Sequence, residues 1–203
     1  MMKSFKLFAS FVLTAVVLAA FTNPQKITAY NVDTEQSKVQ WTGRKVTGEH
    51  TGTINIKAGA LDVEGNKLVG GTFTIDMTTI NDEDLSGEYK AKLEGHLKSD
   101  DFFGVATHPT STFVITEAKA KKGNEYDITG NLTIKNITHE ISFPATVKIS
   151  GEQVTADAKI VVDRAKYDVR YGSDSFFDNL GDKVIYDEFD MVVNLVAGAA
   201  VGK

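Results

Sequence analysis

Apolar and polar residues alternate with period two through most of this chain, and that pattern allows little except half-buried β-strands. In Thr72–Met77, Phe73, Ile75 and Met77 fall on one face, with Thr72, Thr74 and Asp76 on the other. Tyr126–Lys135 repeats this with Ile128, Leu132 and Ile134. Ile141 to Ile149, Val154 to Val162 and Phe189 to Leu195 each carry a further apolar face. Shorter strands are predicted at Lys38–Thr42, Thr51–Lys57, Ala60–Val63 and Thr112–Lys119. Glu64-Gly65-Asn66, Lys122-Gly123-Asn124 and Ser150-Gly151-Glu152 read as hairpin turns. Gly70-Gly71, inside a strand pattern, reads as a bulge or kink. The alternation breaks twice. Leu85, Tyr89, Leu93 and Leu97 recur at spacing four, predicting a short helix over Asp84–Lys98. The preceding Asp82-Glu83-Asp84 reads as a solvated turn at its N-terminus. Ser173–Leu180 reads as a second helical turn.

Composition narrows the function classes. The 203 residues carry 42% hydrophobic and 24% charged side chains, a globular balance, and only three prolines. A net charge of −5 argues against a nucleic-acid partner, which needs a basic face. The absence of cysteine removes disulfides, thiolate catalysis, zinc–thiolate sites and iron–sulfur clusters. Residues 1–22 read as a cleaved secretory signal. Lys3 and Lys6 precede the apolar run Leu7–Phe21, with small residues at Ala19 and Ala20. The run is short for a membrane span, which needs ~20 residues. The expectation is an acidic protein, residues 23–203, delivered to the periplasm or secreted. It forms one all-β domain of about eight antiparallel strands with one or two short helical insertions.

Such strands must close into a barrel or stack as a sandwich. A closed barrel of eight can be filled by side chains or can hold one small ligand. Ala145, Ala156, Ala158 and Gly130 are small residues on the apolar faces, mixed with Phe73, Phe113, Phe143 and Ile160. Pattern alone leaves a hollow interior and an interdigitated one equally open.

Four short motifs in order change that balance. His96-Leu97-Lys98-Ser99-Asp100-Asp101-Phe102-Phe103, then His108-Pro109 with Thr112-Phe113, resembles the "HLxSxDFF" and "PxxTF" segments of the YceI-like polyisoprenoid-binding family. Gly130-Asn131-Leu132-Thr133-Ile134 with Ile137-Thr138-His139 is similar to that family's "GxLTIxxxT" hairpin, and Val161-Val162-Asp163-Arg164 to its "IxR" strand end. The resemblance spans roughly residues 30–196. It implies a lipocalin-like barrel holding an amphiphile: a polyisoprenoid such as an isoprenoid quinone or polyprenyl phosphate, or a fatty-acid derivative. The chain departs from the family at Lys98, where many relatives place arginine, and at Tyr167-Asp168, where many have Phe-Gly. A lysine cannot reproduce the contacts of a guanidinium fork.

The expected tunnel lining is Phe73, Ile75, Phe102, Phe103, Phe113, Ile115, Leu132, Ile134, Phe143, Ile160, Val162, Phe176 and Phe177. Phe102-Phe103 and Phe176-Phe177 are read as aromatic plugs for one end. Arg164 and Lys98 are the residues suited to a phosphate or carbonyl head group, against the alternative of surface ion pairs with Asp100, Asp101 or Asp163. No cofactor is expected beyond the bound polyisoprenoid or fatty acyl ligand. Transient membrane contact fits such a cargo, and the oligomeric state is left open. No catalytic activity is expected, since neither a GxSxG elbow nor a Ser-His-Asp order is present. His50, His96, His108 and His139 show neither i,i+2 nor i,i+4 pairing, so no metal site is expected, and His96 reads as a structural hydrogen-bonding residue. The alternative function is a ligand-free envelope interaction or stress-response module.

Overall fold

The structure, a computed structural model, describes residues 26–199. The segment read as a signal peptide lies outside them. Among the described residues nine strands pair antiparallel: β1 (Ile27–Val32), β2 (Lys38–Lys45), β3 (Gly48–Glu64), β4 (Lys67–Asp82), β5 (Thr110–Ala120), β6 (Glu125–Ile134), β7 (Ile137–Ser150), β8 (Gln153–Asp163) and β9 (Ile185–Ala199). One helix, α1 (Gly87–Lys98), joins β4 to β5. Consecutive strands from β2 to β9 are neighbours, and β9 returns to pair with β2, so the sheet closes as an up-and-down barrel.

The wall has eight positions although there are nine strands. Both β1 and β2 lie between β3 and β9, at different heights: Tyr30 faces Leu61 and Ala199, while Gln40 faces Thr53 and Val192. They are one strand interrupted by a looped-out Asp33–Ser37. Asp33 Oδ1 accepts from the Glu35 and Gln36 amides, and Ser37 Oγ accepts from the Val196 amide at 3.0 Å. The backbone groups freed by the interruption are thereby satisfied.

The two ends of the barrel differ. The hairpins at Gly65, Gly123 and Gly151, each with φ near +60 to +70°, gather at one end with β1's start and β9's finish. Only a residue tolerant of left-handed backbone closes such turns cheaply. There Tyr30, Val63, Tyr126, Val154 and Ala197 are buried across the bore, and the Tyr30 hydroxyl donates to the Gly151 carbonyl at 2.8 Å. This end is sealed. At the other end lie the long connections 83–109 and 164–184.

One expectation on those connections is met and one changes. The helical turn expected within Ser173–Leu180 is a single hydrogen-bonded turn, with the Phe176 and Phe177 amides donating to the Ser173 carbonyl, and separate 3-10 turns form at Arg164–Tyr167 and Gly181–Lys183. Asp82 is not solvated: it is fully buried at the end of β4, its Oδ2 accepting from the Leu85 amide at 2.8 Å and its backbone amide donating to Glu94 of α1. The helix covers the barrel end with Leu97 turned inward, while Tyr89 stays 73% exposed.

Candidate functional site

The bore holds a cavity of about 240 Å³. It runs from Leu61, Leu68 and Ala156 near the sealed end to Phe102, Phe103 and Arg164 under the long connections. Among the described residues 35 line it, and of these only Trp41, Ser111, Arg164 and Tyr186 carry a polar side-chain atom. Apolar cavities of ~150 Å³ in other proteins stay dry and take up benzene-sized guests. This one is larger and similarly lined.

Local structure explains where the space is. Ala145 and Ala158 face each other across β7 and β8, and Ala156 faces Val147. All three alanines line the cavity. The bulkier Phe73, Phe113 and Phe143 form an aromatic band on β4, β5 and β7, with Phe113 centred 6.4 Å from Phe73 and 5.5 Å from Phe143. Gly130 does not leave a void as its size suggested. The Phe113 ring lies over it, 2.5 Å from where a Cβ would stand. Bulges turn the long strands so that both halves face inward. Ile54 and Ile56 point in on β3, the register then shifts between Ile56 and Ala58, and Leu61 points in beyond it. The irregularity at Gly70, opposite Asp62, is the bulge expected from the sequence.

Twelve of the fifteen residues expected at the site line this cavity, and Lys98, Phe176 and Phe177 do not. Phe176 and Phe177 are 40% and 49% exposed, and Phe176 instead stacks beneath the Arg170 guanidinium at 4.9 Å. Neither lines the bore, so they do not plug the barrel. Phe102 and Phe103 do lie over its end. The chain after α1 doubles back, the amides of Phe103, Gly104 and Val105 donating hydrogen bonds to the Leu97, Ser99 and Lys98 carbonyls, with Gly104 at φ 56°. The contribution of Lys98 is this backbone acceptor. Leu97, Trp41, Tyr186 and Met191, left out of the expected lining, also line the space. Leu97 carried the helical spacing that could have marked it.

Arg164 is not a surface residue. It is 2% exposed, and three of its five N–H donors are engaged: Nε to the Tyr186 carbonyl at 3.2 Å, Nη1 to Val169 at 2.7 Å and Nη2 to Ile185 at 2.8 Å. Asp187 stands 3.4 Å away, and the Phe102 ring lies 5.3 Å beneath the guanidinium. Burial lowers its pKa from the ordinary arginine value, with Asp187 opposing that most. Arg164 therefore ties the 164–184 connection to β9 and to the Phe102 lid. Its partner is Asp187, and not Asp163, Asp100 or Asp101. The His96 ring packs against Tyr171 at 4.3 Å and Phe102 at 5.6 Å, and its buried Nε2 has no hydrogen-bond partner, unlike the bonded histidine expected.

Tyr167 is buried beside this cluster with an unpartnered hydroxyl. Burial, and then Asp163, pushes its pKa up to about 12 from an ordinary 10.0. A raised folded-state pKa means its stabilising contribution is complete below pH 10.0 and lost as pH rises toward about 12. Tyr167→Phe removes a buried hydroxyl that bonds to nothing, so we expect stability at neutral pH unchanged or raised by up to ~1 kcal/mol. Ultraviolet titration should show the last-ionising tyrosine gone, and urea melts above pH 10.0 should show a shallower loss than in the unmodified chain.

A closed antiparallel barrel, sealed at one end and apolar within, defines the lipocalin-like class of architecture. Within that class, the model of the YceI-like domain matches residues 30–197, and the chain belongs to this family. A 74-residue stretch is 39% identical to a UPF0312 protein of Pectobacterium atrosepticum, covering 36% of this chain and 38% of that relative. Over 91 residues it is 36% identical to protein YceI of Salmonella newport, covering 40% and 47%. The matches thus span less than half the length of these curated relatives. BcnA of Burkholderia cenocepacia superimposes with TM-score 0.62 at 25% identity, over 82% of this chain and 99% of its own. A protein of Saccharophagus degradans described as a polyisoprenoid binding domain gives TM-score 0.62 at 15% identity, over 85% and 99%.

Proposed function

We propose that this chain is an exported, non-catalytic binding protein that shelters the tail of a long-chain amphiphile, a polyisoprenoid or fatty-acid derivative, in the barrel. The observation that carries this reading is the apolar cavity of about 240 Å³ behind a sealed hairpin end. At ~30 Å³ for a water-sized group, it holds about eight chain carbons. Burying each contributes ~0.8 kcal/mol, so ~6 kcal/mol gross is available before ordering costs are subtracted. The adaptable side chains of Met77 and Met191 line the space and can yield to a thicker guest. Tyr186 lines the cavity and is also 48% exposed, so a longer tail and its head group leave through the seam beside it. The family membership, and the binding property described for the Saccharophagus relative, support the same ligand class. A cavity of this size argues against the ligand-free module, whose interior side chains would fill. No paired acid and base occurs among the described lining residues, which favours holding over turnover.

Native mass spectrometry of the protein, purified without detergent from its own cell envelope, tests this. A co-purified apolar mass is expected, together with saturable uptake of polyprenyl and fatty acyl probes read by Trp41. That residue is the chain's single tryptophan, and it lines the cavity. Neither co-purified lipid nor uptake of any probe would overturn the reading.

A further inference from the structure

His50, Asp82 and Asp84 meet at the rim of the helix end, although 32 residues separate the histidine from the nearer carboxylate. Register explains the meeting. His50 on β3 is opposite Gly43 of β2, which lines the bore, and Gly52 of β3 is opposite Asp82 of β4. His50 and Asp82 are therefore close neighbours on the inner face of adjoining strands. Asp84 follows the end of β4 and folds back: its Oδ1 accepts from the Thr51 amide at 2.7 Å, and its Oδ2 lies 2.9 Å from His50 Nδ1. One imidazole nitrogen and one oxygen from each carboxylate lie within 4.8 Å of one another.

The cluster is short of positive charge. Asp82 is fully buried, and its Oδ1 has no hydrogen-bond partner. Among the described residues no lysine or arginine pairs with either carboxylate. Lys90 Nζ is turned to the Asn81 side chain at 2.8 Å, the Asp82 backbone carbonyl at 2.7 Å and Glu94 at 3.5 Å. A buried acceptor without a donor, beside a second carboxylate, is an unfavourable arrangement until something positive enters it.

We propose that His50, Asp82 and Asp84 bind one divalent cation of the zinc class, with water completing the coordination. One imidazole and two carboxylates, with no thiolate, form a three-ligand set of the kind zinc accepts. Calcium takes six to eight oxygens and magnesium an octahedral oxygen shell, and three side chains including an imidazole match neither. Bound there, the cation joins β3 to the segment entering α1 and so braces the cover of the barrel end. The site needs no lipid in the bore and stands apart from the ligand reading.

Untagged full-length protein, stripped with chelator, is titrated with zinc chloride by calorimetry and its thermal melt is followed in parallel. One equivalent should bind, and the melting temperature should rise with zinc. His50→Gln and Asp84→Asn alter partly exposed side chains and leave Asp82 in place, so both variants should fold. Each should weaken binding by at least roughly tenfold and lose the thermal shift. No saturable zinc binding would overturn the proposal and leave a proton shared between the carboxylates. So would unchanged affinity in both variants, which would place the metal elsewhere, or binding of calcium or magnesium in preference to zinc.

Discussion

Ala158→Phe is expected to abolish uptake of a lipid probe while the barrel still folds. Ala158 lines the cavity opposite Ala145, where two methyl groups face each other across β7 and β8 and a ring added there projects into the bore. A benzene-sized ring occupies a cavity of ~150 Å³, most of the 240 Å³ present. Little room is left for a chain, and affinity should fall by well over tenfold, which is ~1.4 kcal/mol. Filling a void recovers contacts that the lining lacks, and any misfit costs ~1–3 kcal/mol. A cooperative melt should therefore persist. Lys159→Phe places the same ring on the exposed outer face and should leave uptake unchanged. Tryptophan fluorescence with a polyprenyl probe separates the two variants, and equal binding by both would show that the chain does not enter the bore.

Arg164→Met should be the most destabilising single change at the helix end. It removes the donors to the Val169, Ile185 and Tyr186 carbonyls and leaves Asp187 without its buried cation. Breaking a buried pair from one side costs ~3–5 kcal/mol, because the remaining charge stays desolvated. Urea denaturation should show the midpoint falling by the corresponding amount. Arg164→Lys keeps the charge but offers one point donor where a planar fork now reaches three carbonyls, so it should recover only part of the loss. A melt unchanged in Arg164→Met would show that the connection over residues 164–184 is held by other contacts.

Much of the barrel is legible in the chain because a strand shows its two faces locally. Phe73, Ile75 and Met77 on β4, or Val154 and Ala156 on β8, could be placed inward from alternation alone. The glycine turns at Gly65, Gly123 and Gly151 could be placed because their backbone excludes most other residues. The reading faltered where strands carry bulges. An extra residue flips every later side chain to the other face, so β3 looked like two strands, Thr51–Lys57 and Ala60–Val63, with a break at the bulge. β1 went unseen because six residues with one buried side chain, Tyr30, carry almost no periodicity.

The site divides along the same line. Which walls are apolar was written in the residues, and the order of motifs resembled a family for which a hollow barrel was the expectation. What the connections do was not. Phe102 and Phe176 are both first in a pair of adjacent aromatics outside a strand, and nothing local distinguishes the one over the bore from the one stacked on Arg170. Arg164 likewise looks like a surface residue until β9 brings the Tyr186 and Ile185 carbonyls to it. Sequence by itself determined an antiparallel wall with one oily face, since periodicity is a property of neighbouring residues. Tertiary structure alone decided that the wall encloses space, which end is sealed, and that His50 meets Asp82. Closure, cavity volume and side-chain convergence depend on which distant strands pair and in what register, and that is settled only when the whole sheet meets itself.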